Sequence, residues 1–230
     1  FGSTSNEAAE RLRRSCALLL LAEGGLLGVL CSLDLILLFT FWVLVLIPCA
    51  FLIGGKQESP AAAAGARFFI PAFLGSLALL AAGLALGLRA DGTFNVLALA
   101  EFARDGRIPV ELQSVVFGCL FVSCAVRLPI VPLHGWLPAA QRHLPAEFAG
   151  FVQGAFLASG VYGLLRFVWP LCPSVVTDPK VVTALGGLAL LNLVGGTLLA
   201  LAERDLRRQL AYFSIAHVGF VLLGLCAMTP

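Results

Sequence analysis

Apolar residues run through this chain in long, uniform blocks separated by short polar stretches. Seven blocks stand out: Ser15–Leu33, Leu35–Ile53, Phe68–Leu88, Leu112–Leu133, Phe148–Val168, Val181–Ala202 and Leu210–Met228. Each reaches or exceeds about 18 residues, the length at which a helix crosses a bilayer. In hydrocarbon every backbone polar group needs an internal partner, so such segments are helices or barrel strands. These are too long and too evenly apolar for strands. The pattern predicts an all-α, polytopic transmembrane bundle of about seven spans. Asp34 alone divides the first two blocks, which predicts a tight helical hairpin. An alanine-rich stretch, Gly54–Ala66, and a mixed-charge stretch, Arg89–Pro109, are expected to be loops.

Composition sharpens the class. Hydrophobic residues make up 60% and charged residues 12%, against about 45–50% and about 25% in soluble domains. The net charge of +2 comes from scattered residues and implies no nucleic-acid partner. The seven cysteines form no CxxC pair and mostly lie in apolar blocks, so they read as small buried hydrophobes. The polar start, residues 1–14, does not read as a signal peptide. Arg11, Arg13, Arg14, Lys56, Arg67, Arg142, Arg204, Arg207 and Arg208 fall on one side of the predicted membrane and five other basic residues on the opposite side. That bias predicts a cytoplasmic N-terminus, or its organellar equivalent.

The fourth block is interrupted. In "RLPIVPLHGWLPAAQ" Arg127 ends an apolar run, and Pro129 and Pro132 follow three residues apart. Proline removes a helical hydrogen bond and clashes with the preceding turn. A broken helix near 127–132 is therefore expected, and such breaks at membrane depth line cavities or packed protein. A charge beside the break costs roughly 3 kcal/mol or more in hydrocarbon, which marks Arg127 as functional or partnered. The plainer alternative is an arginine that snorkels to the interface.

These residues resemble a known family. "RLPIVPLHGWLPAAQ", "GVYGLLRF", "LAERDLRRQLAYFSIAHVGFVLLG" and "LAEGGLLGVLCSLDLILLFTFW" are similar to the antiporter-like subunits of respiratory complex I, nearest to the subunit M type (NADH dehydrogenase subunit 4). Subunits of Mrp-type cation/proton antiporters are related. The resemblance covers essentially the whole chain, which corresponds to the middle part of the family's length. It implies that residues 15–168 are a first antiporter-like repeat of five helices, the fourth broken, and that 169–230 open a second repeat. It also implies a multi-pass protein of a mitochondrial inner, bacterial cytoplasmic or thylakoid membrane. The implied partners are other membrane-arm subunits, including neighbouring antiporter-like ones, and the lipid bilayer.

In the family, protons are thought to pass along buried charged residues, and three of those positions differ here. A glutamate five residues before a proline corresponds to Val43, before Pro48. The lysine of the break corresponds to Arg127. A lysine thirteen residues after a proline corresponds to Ala158, counted from Pro145. Valine and alanine cannot titrate, and arginine holds its proton. The resemblance therefore implies a proton-translocating complex whose half-channel in this chain is inactive.

Other polar groups remain as proton-path candidates. Glu23 lies within its block and is either a partner of Arg127, a substitute acid, or a neutral acid bonded to a neighbouring backbone. His134 and His143 flank the stretch after the break and are read as relay groups or solvated loop residues. His217 lies one turn from Ser214 and is read as a relay or as a packing histidine. Paired glycines, Gly24, Gly25, Gly150, Gly154, Gly186, Gly187, Gly195 and Gly196, are expected at close helix contacts. No nucleotide loop, metal cluster or nucleophile constellation is present, so no cofactor is expected and any quinone, flavin or iron–sulfur chemistry would sit on other subunits. Three functions follow: a complex I-like pump subunit, a subunit of a multi-subunit cation/proton antiporter, or a degenerate scaffold.

Overall fold

The computed structural model describes residues 2–55 and 60–228; Lys56, counted above, lies outside them. Nine helices concern us: α1 (Gly2–Cys31), α2 (Leu35–Gly54), α3 (Pro60–Arg89), α4 (Val96–Arg104), α5 (Val110–Arg127), α6 (Trp136–His143), α7 (146–171), α8 (Pro179–Ala202) and α9 (Leu206–Ala227). Seven stretches are long and apolar enough to cross a membrane: α2, α5, α8, α9 and most of α1, α3 and α7. The chain is a multi-pass membrane protein. Large apolar side chains cover its outside, Leu20, Leu74, Leu198 and Phe220 among them, as a lipid-facing or helix-facing surface requires.

Local chemistry sets the ends. Asp34 accepts from the amides of Ile36 (2.9 Å) and Leu37 (3.1 Å), capping α2 and turning the α1–α2 hairpin. The same turn is tied to the 93–96 stretch by backbone bonds from Leu35 to Phe94 and from Val96 to Leu33.

Two expected loops contain helix. The stretch 60–66 belongs to α3, because proline suits a helix's first turn and alanine is the strongest helix former. Within 89–109, α4 forms with Asn95 as its cap and Val96, Leu99, Ala100 and Ala103 buried. Its charges occupy the opposite face, and they masked its period in the sequence.

The fourth block is not continuous. α5 stops at Arg127, residues 128–135 turn, and α6 departs from Trp136. α7 contains two π turns, Val152–Phe156 and Leu164–Val168. Two buried clusters fill the bundle. One surrounds Leu38, Trp42, Leu86, Leu120 and Phe167. The other surrounds Leu46, Phe68, Trp136, Leu137 and Phe156. In the second, Phe68, Trp136 and Phe156 meet with ring centroids 5.0 to 5.9 Å apart.

The glycine expectation holds at two positions. A Cβ on Gly25 would lie 2.8 Å from the Val45 side chain, and one on Gly196 would lie 2.7 Å from the Ala216 amide. The other six have nothing within 4 Å among the described residues. They sit on outward faces, which a sequence cannot distinguish from inward ones when both are apolar.

Candidate functional site around Arg127

The break would strand backbone groups, and neighbouring elements recover them. Pro129 has no N–H to offer the Ala125 carbonyl, which accepts instead from Ile130 at 3.0 Å. The Val126 carbonyl takes the indole N–H of Trp136 at 2.8 Å. The Val131 amide donates to Oδ1 of Asn192 on α8 at 3.1 Å. Asn192 is fully buried, and its Nδ2 donates to Leu188 within α8. Irregular backbone is thus kept at this depth by a side chain from each direction.

Arg127, the last residue of α5, is 2% exposed. It does not snorkel. Its Nη2 donates to the Trp42 carbonyl at 2.8 Å and its Nη1 to Ser159 Oγ at 3.0 Å. The guanidinium carbon lies 3.8 Å from the Trp42 ring centroid and 4.6 Å from that of Phe156. Such stacking contributes about 0.5–2 kcal/mol, more when water is excluded. Ser159 Oγ in turn donates to the Phe156 carbonyl at 2.6 Å. Phe156 closes the first π turn of α7 and Ser159 follows it; π turns of this kind recur at functional sites. No carboxylate pairs with Arg127 among the described residues.

The partners of Arg127 adjoin Val43 and Ala158 in the chain. Trp42 precedes Val43 and Ser159 follows Ala158. Arg127 therefore bridges the backbone next to Val43 and the side chain next to Ala158. Ala158 faces a lateral cavity of about 450 Å³ between α1 and α7, which Glu23 and Ser159 also line. Glu23 has no hydrogen bond or ion pair among the described residues, so it is neither a direct partner of Arg127 nor bonded to a neighbouring backbone. Ser159 bonds Arg127 and lines the same cavity as Glu23.

The structure does not bring the histidines to this site. His134 is half-buried in the turn after the break, and its Nδ1 has no partner. His143 ends α6 and is exposed. His217 is exposed on α9, with Nδ1 2.9 Å from the Phe213 carbonyl. The residues that sequence reasoning missed are Trp42, Phe156, Ser159, Trp136 and Asn192. Asn192 had a signal: a lone amide within "LALLNLVGG".

The profile of the family described as "NADH:quinone oxidoreductase/Mrp antiporter, TM" matches residues 32–230. The chain belongs to this family. It is 37% identical over 216 residues to NAD(P)H-quinone oxidoreductase chain 4 1 of Synechococcus sp. (strain JA-3-3Ab), covering 92% of this chain and 39% of that protein. It is 32% identical over 213 residues to NADH-quinone oxidoreductase subunit M of Rickettsia conorii, covering 91% and 42%. The chain thus spans about two fifths of the length of these relatives. A chain of respiratory complex I from Thermus thermophilus superposes with a TM-score of 0.80 at 29% identity, covering 93% of this chain and 44% of that one. A chain of the Mrp complex from Dietzia sp. DQ12-45-1b gives a TM-score of 0.80 at 24% identity, with 93% and 23% covered; at that identity the likeness is one of fold.

Proposed function

We propose that this member of the family serves as a membrane-arm subunit of a complex I-like NADH:quinone oxidoreductase and that its own half-channel does not carry protons. Residues 15–168 form the first antiporter-like repeat and 169–230 begin the second. Its partners are neighbouring antiporter-like subunits. The subunit M relatives support the choice of complex over an Mrp-type antiporter, whose likeness is of fold. One observation carries the inactivity: the permanent cation of Arg127 is clamped between the Trp42 and Phe156 rings and bonded beside Val43 and Ala158. A relay group must release its proton, and guanidinium holds one at any physiological pH. A fixed charge at the break instead repels protons and cations arriving from either side. The role of Arg127 is that of an electrostatic plug.

The test is a leak measurement on the assembled complex in vesicles. Arg127→Met leaves no buried group stranded, since the Trp42 carbonyl lies within α2 and Ser159 keeps its bond to Phe156. The variant should assemble, and an imposed proton gradient should decay faster than in wild type. Protons pumped per electron, corrected for leak, should not change. Tight vesicles with a lowered pumping ratio would make Arg127 part of the relay and overturn the proposal.

A second reading has a specific support. Glu23 faces the same cavity as Ala158 and Ser159, so it could supply a titratable group in place of the lost lysine. Glu23→Gln separates the two. An unchanged pumping ratio fits the silent half-channel, and a lowered one fits a relay rerouted through Glu23.

A further inference from the structure

α3 crosses the membrane with an arginine at the edge of its predicted span. Phe68–Leu88 is an unbroken apolar run of a length that fills the hydrocarbon, and Arg67 immediately precedes it. A cation at that boundary sits at the depth of lipid phosphate. Arg67 has no ion pair or hydrogen bond among the described residues. It faces a cavity of about 470 Å³ between α3, α6 and α9, lined also by Arg142, Arg208, His134, His143 and Tyr212. Among the described residues no aspartate or glutamate lines it.

Two of the arginines are anchored from behind. Arg208 Nη1 lies 2.8 Å from Glu203 Oε2, and its Nη2 donates to Tyr212 Oη at 3.3 Å. Arg142 Nε lies 3.6 Å from Asp205 Oδ2, and Arg142 makes no hydrogen bond among the described residues, so its guanidinium has donors for another acceptor. His134 Nδ1 is buried with no partner among the described residues, on a side chain that lines the same cavity. Three guanidinium groups with unfilled donors around one cavity form an anion site, and guanidinium forks match phosphate oxygens best. The surface beyond selects the kind of phosphate. Ile70 and Leu74 follow Arg67 along one face of α3 and are 57% and 60% exposed. An acyl chain laid on them would bring its headgroup to Arg67.

We propose that this cavity binds the headgroup of an anionic phospholipid, with its phosphate held by Arg67, Arg142 and Arg208. Basic pockets between transmembrane helices at an arginine-rich side bind such headgroups. The inference requires only that the chain spans a membrane, so its failure leaves the reading of Arg127 untouched.

The experiment uses the complex containing the full chain, in nanodiscs of phosphatidylcholine, titrated with phosphatidylglycerol and read by native mass spectrometry after partial delipidation. Wild type should retain a tightly bound phosphatidylglycerol. Arg67→Gln should weaken its retention about tenfold, the effect of losing roughly 1.4 kcal/mol. Arg67→Lys should lie between, and Arg89→Gln, at the far end of the same helix, should match wild type. Should Arg67→Gln fail to assemble, Arg142→Gln is read by the same criterion. Equal retention by wild type and variant would overturn the proposal. Equal binding of phosphatidylcholine would do so too, as would saturation by inorganic phosphate that displaces the lipid. Loss of a neighbouring subunit from Arg67→Gln, at unchanged lipid content, would assign the cavity to a protein carboxylate and reject the lipid.

Discussion

Arg127 shows what a buried charge requires when no carboxylate is at hand. Two ring faces, one backbone carbonyl and one hydroxyl replace its hydration. Ser159→Ala removes one acceptor from a buried guanidinium and should destabilise the protein by about 1–3 kcal/mol, read as a fall in the detergent melting temperature. Arg127→Lys keeps the charge, but a lysine cannot fork or stack in the same way. It should leave the vesicles tight while lowering the melting temperature more than Arg127→Met does. The same scale explains why the site was only partly legible. The proline pair announced the break and the charge announced itself. Trp42, Phe156 and Ser159 lie 85, 29 and 32 residues from Arg127 in the sequence, positions 42, 156 and 159 against 127, and nothing local marks them as its partners. Cys172 follows α7 and is fully buried, and that burial pushes its thiol up to about 12. Its thiolate is therefore scarce across pH 6–9 and forms only as pH approaches that raised value. Maleimide should spare Cys172 across pH 6–9 in the folded protein and label it after denaturation, as peptide mapping would report.

At the scale of elements, the break and the α8–α9 pair depend on each other. Asn192 on α8 satisfies the Val131 amide of the break. Asn192→Leu would orphan that amide and should destabilise by about 1–3 kcal/mol, with faster hydrogen exchange confined to 128–135. α8 and α9 approach through glycine: a Cβ on Gly219 would lie 2.7 Å from both the Ala189 carbonyl oxygen and the Leu193 amide. Those are backbone atoms that cannot rotate away. Gly219→Ala should cost about 1–3 kcal/mol through overpacking. Gly24→Ala, where nothing lies within 4 Å, should be neutral or stabilising in the same thermal assay. If the two substitutions had equal effects, the assigned α8–α9 interface would be wrong.

For the whole molecule, one end of the bundle gathers a group of basic residues around α6 and α9. Arg142 and Asp205 pair across α6 and α9, and Arg207 Nη1 donates to the Leu144 carbonyl at 3.0 Å. Of the residues that the charge count grouped on one side, Arg67, Arg142 and Arg208 line one cavity there, and Arg207 reaches the end of α6 beside it. Cys16 and Cys31 are both exposed and lie toward opposite ends of the membrane-crossing part of α1, Leu12–Cys31. A membrane-impermeant thiol reagent added from the non-cytoplasmic side should modify Cys31 and leave Cys16. The reverse pattern would invert the topology read from the arginines.

The sequence by itself determined the class, the seven spans, the α1–α2 hairpin and the place of the break. Each rests on local physics: an apolar run long enough for the bilayer, a capping aspartate, or a proline without an N–H. It also carried the family, through long motifs whose residues are adjacent in the chain. It did not reveal α4, whose buried face is visible only once a neighbour covers it, nor which glycines touch another helix. The tertiary structure alone decided that Glu23 stands apart from Arg127, that the histidines lie elsewhere, and that an asparagine on α8 completes the break. Those outcomes depend on which helix faces which. In a chain whose helices are apolar on nearly every side, hydrophobicity does not specify a facing side, and only packing does.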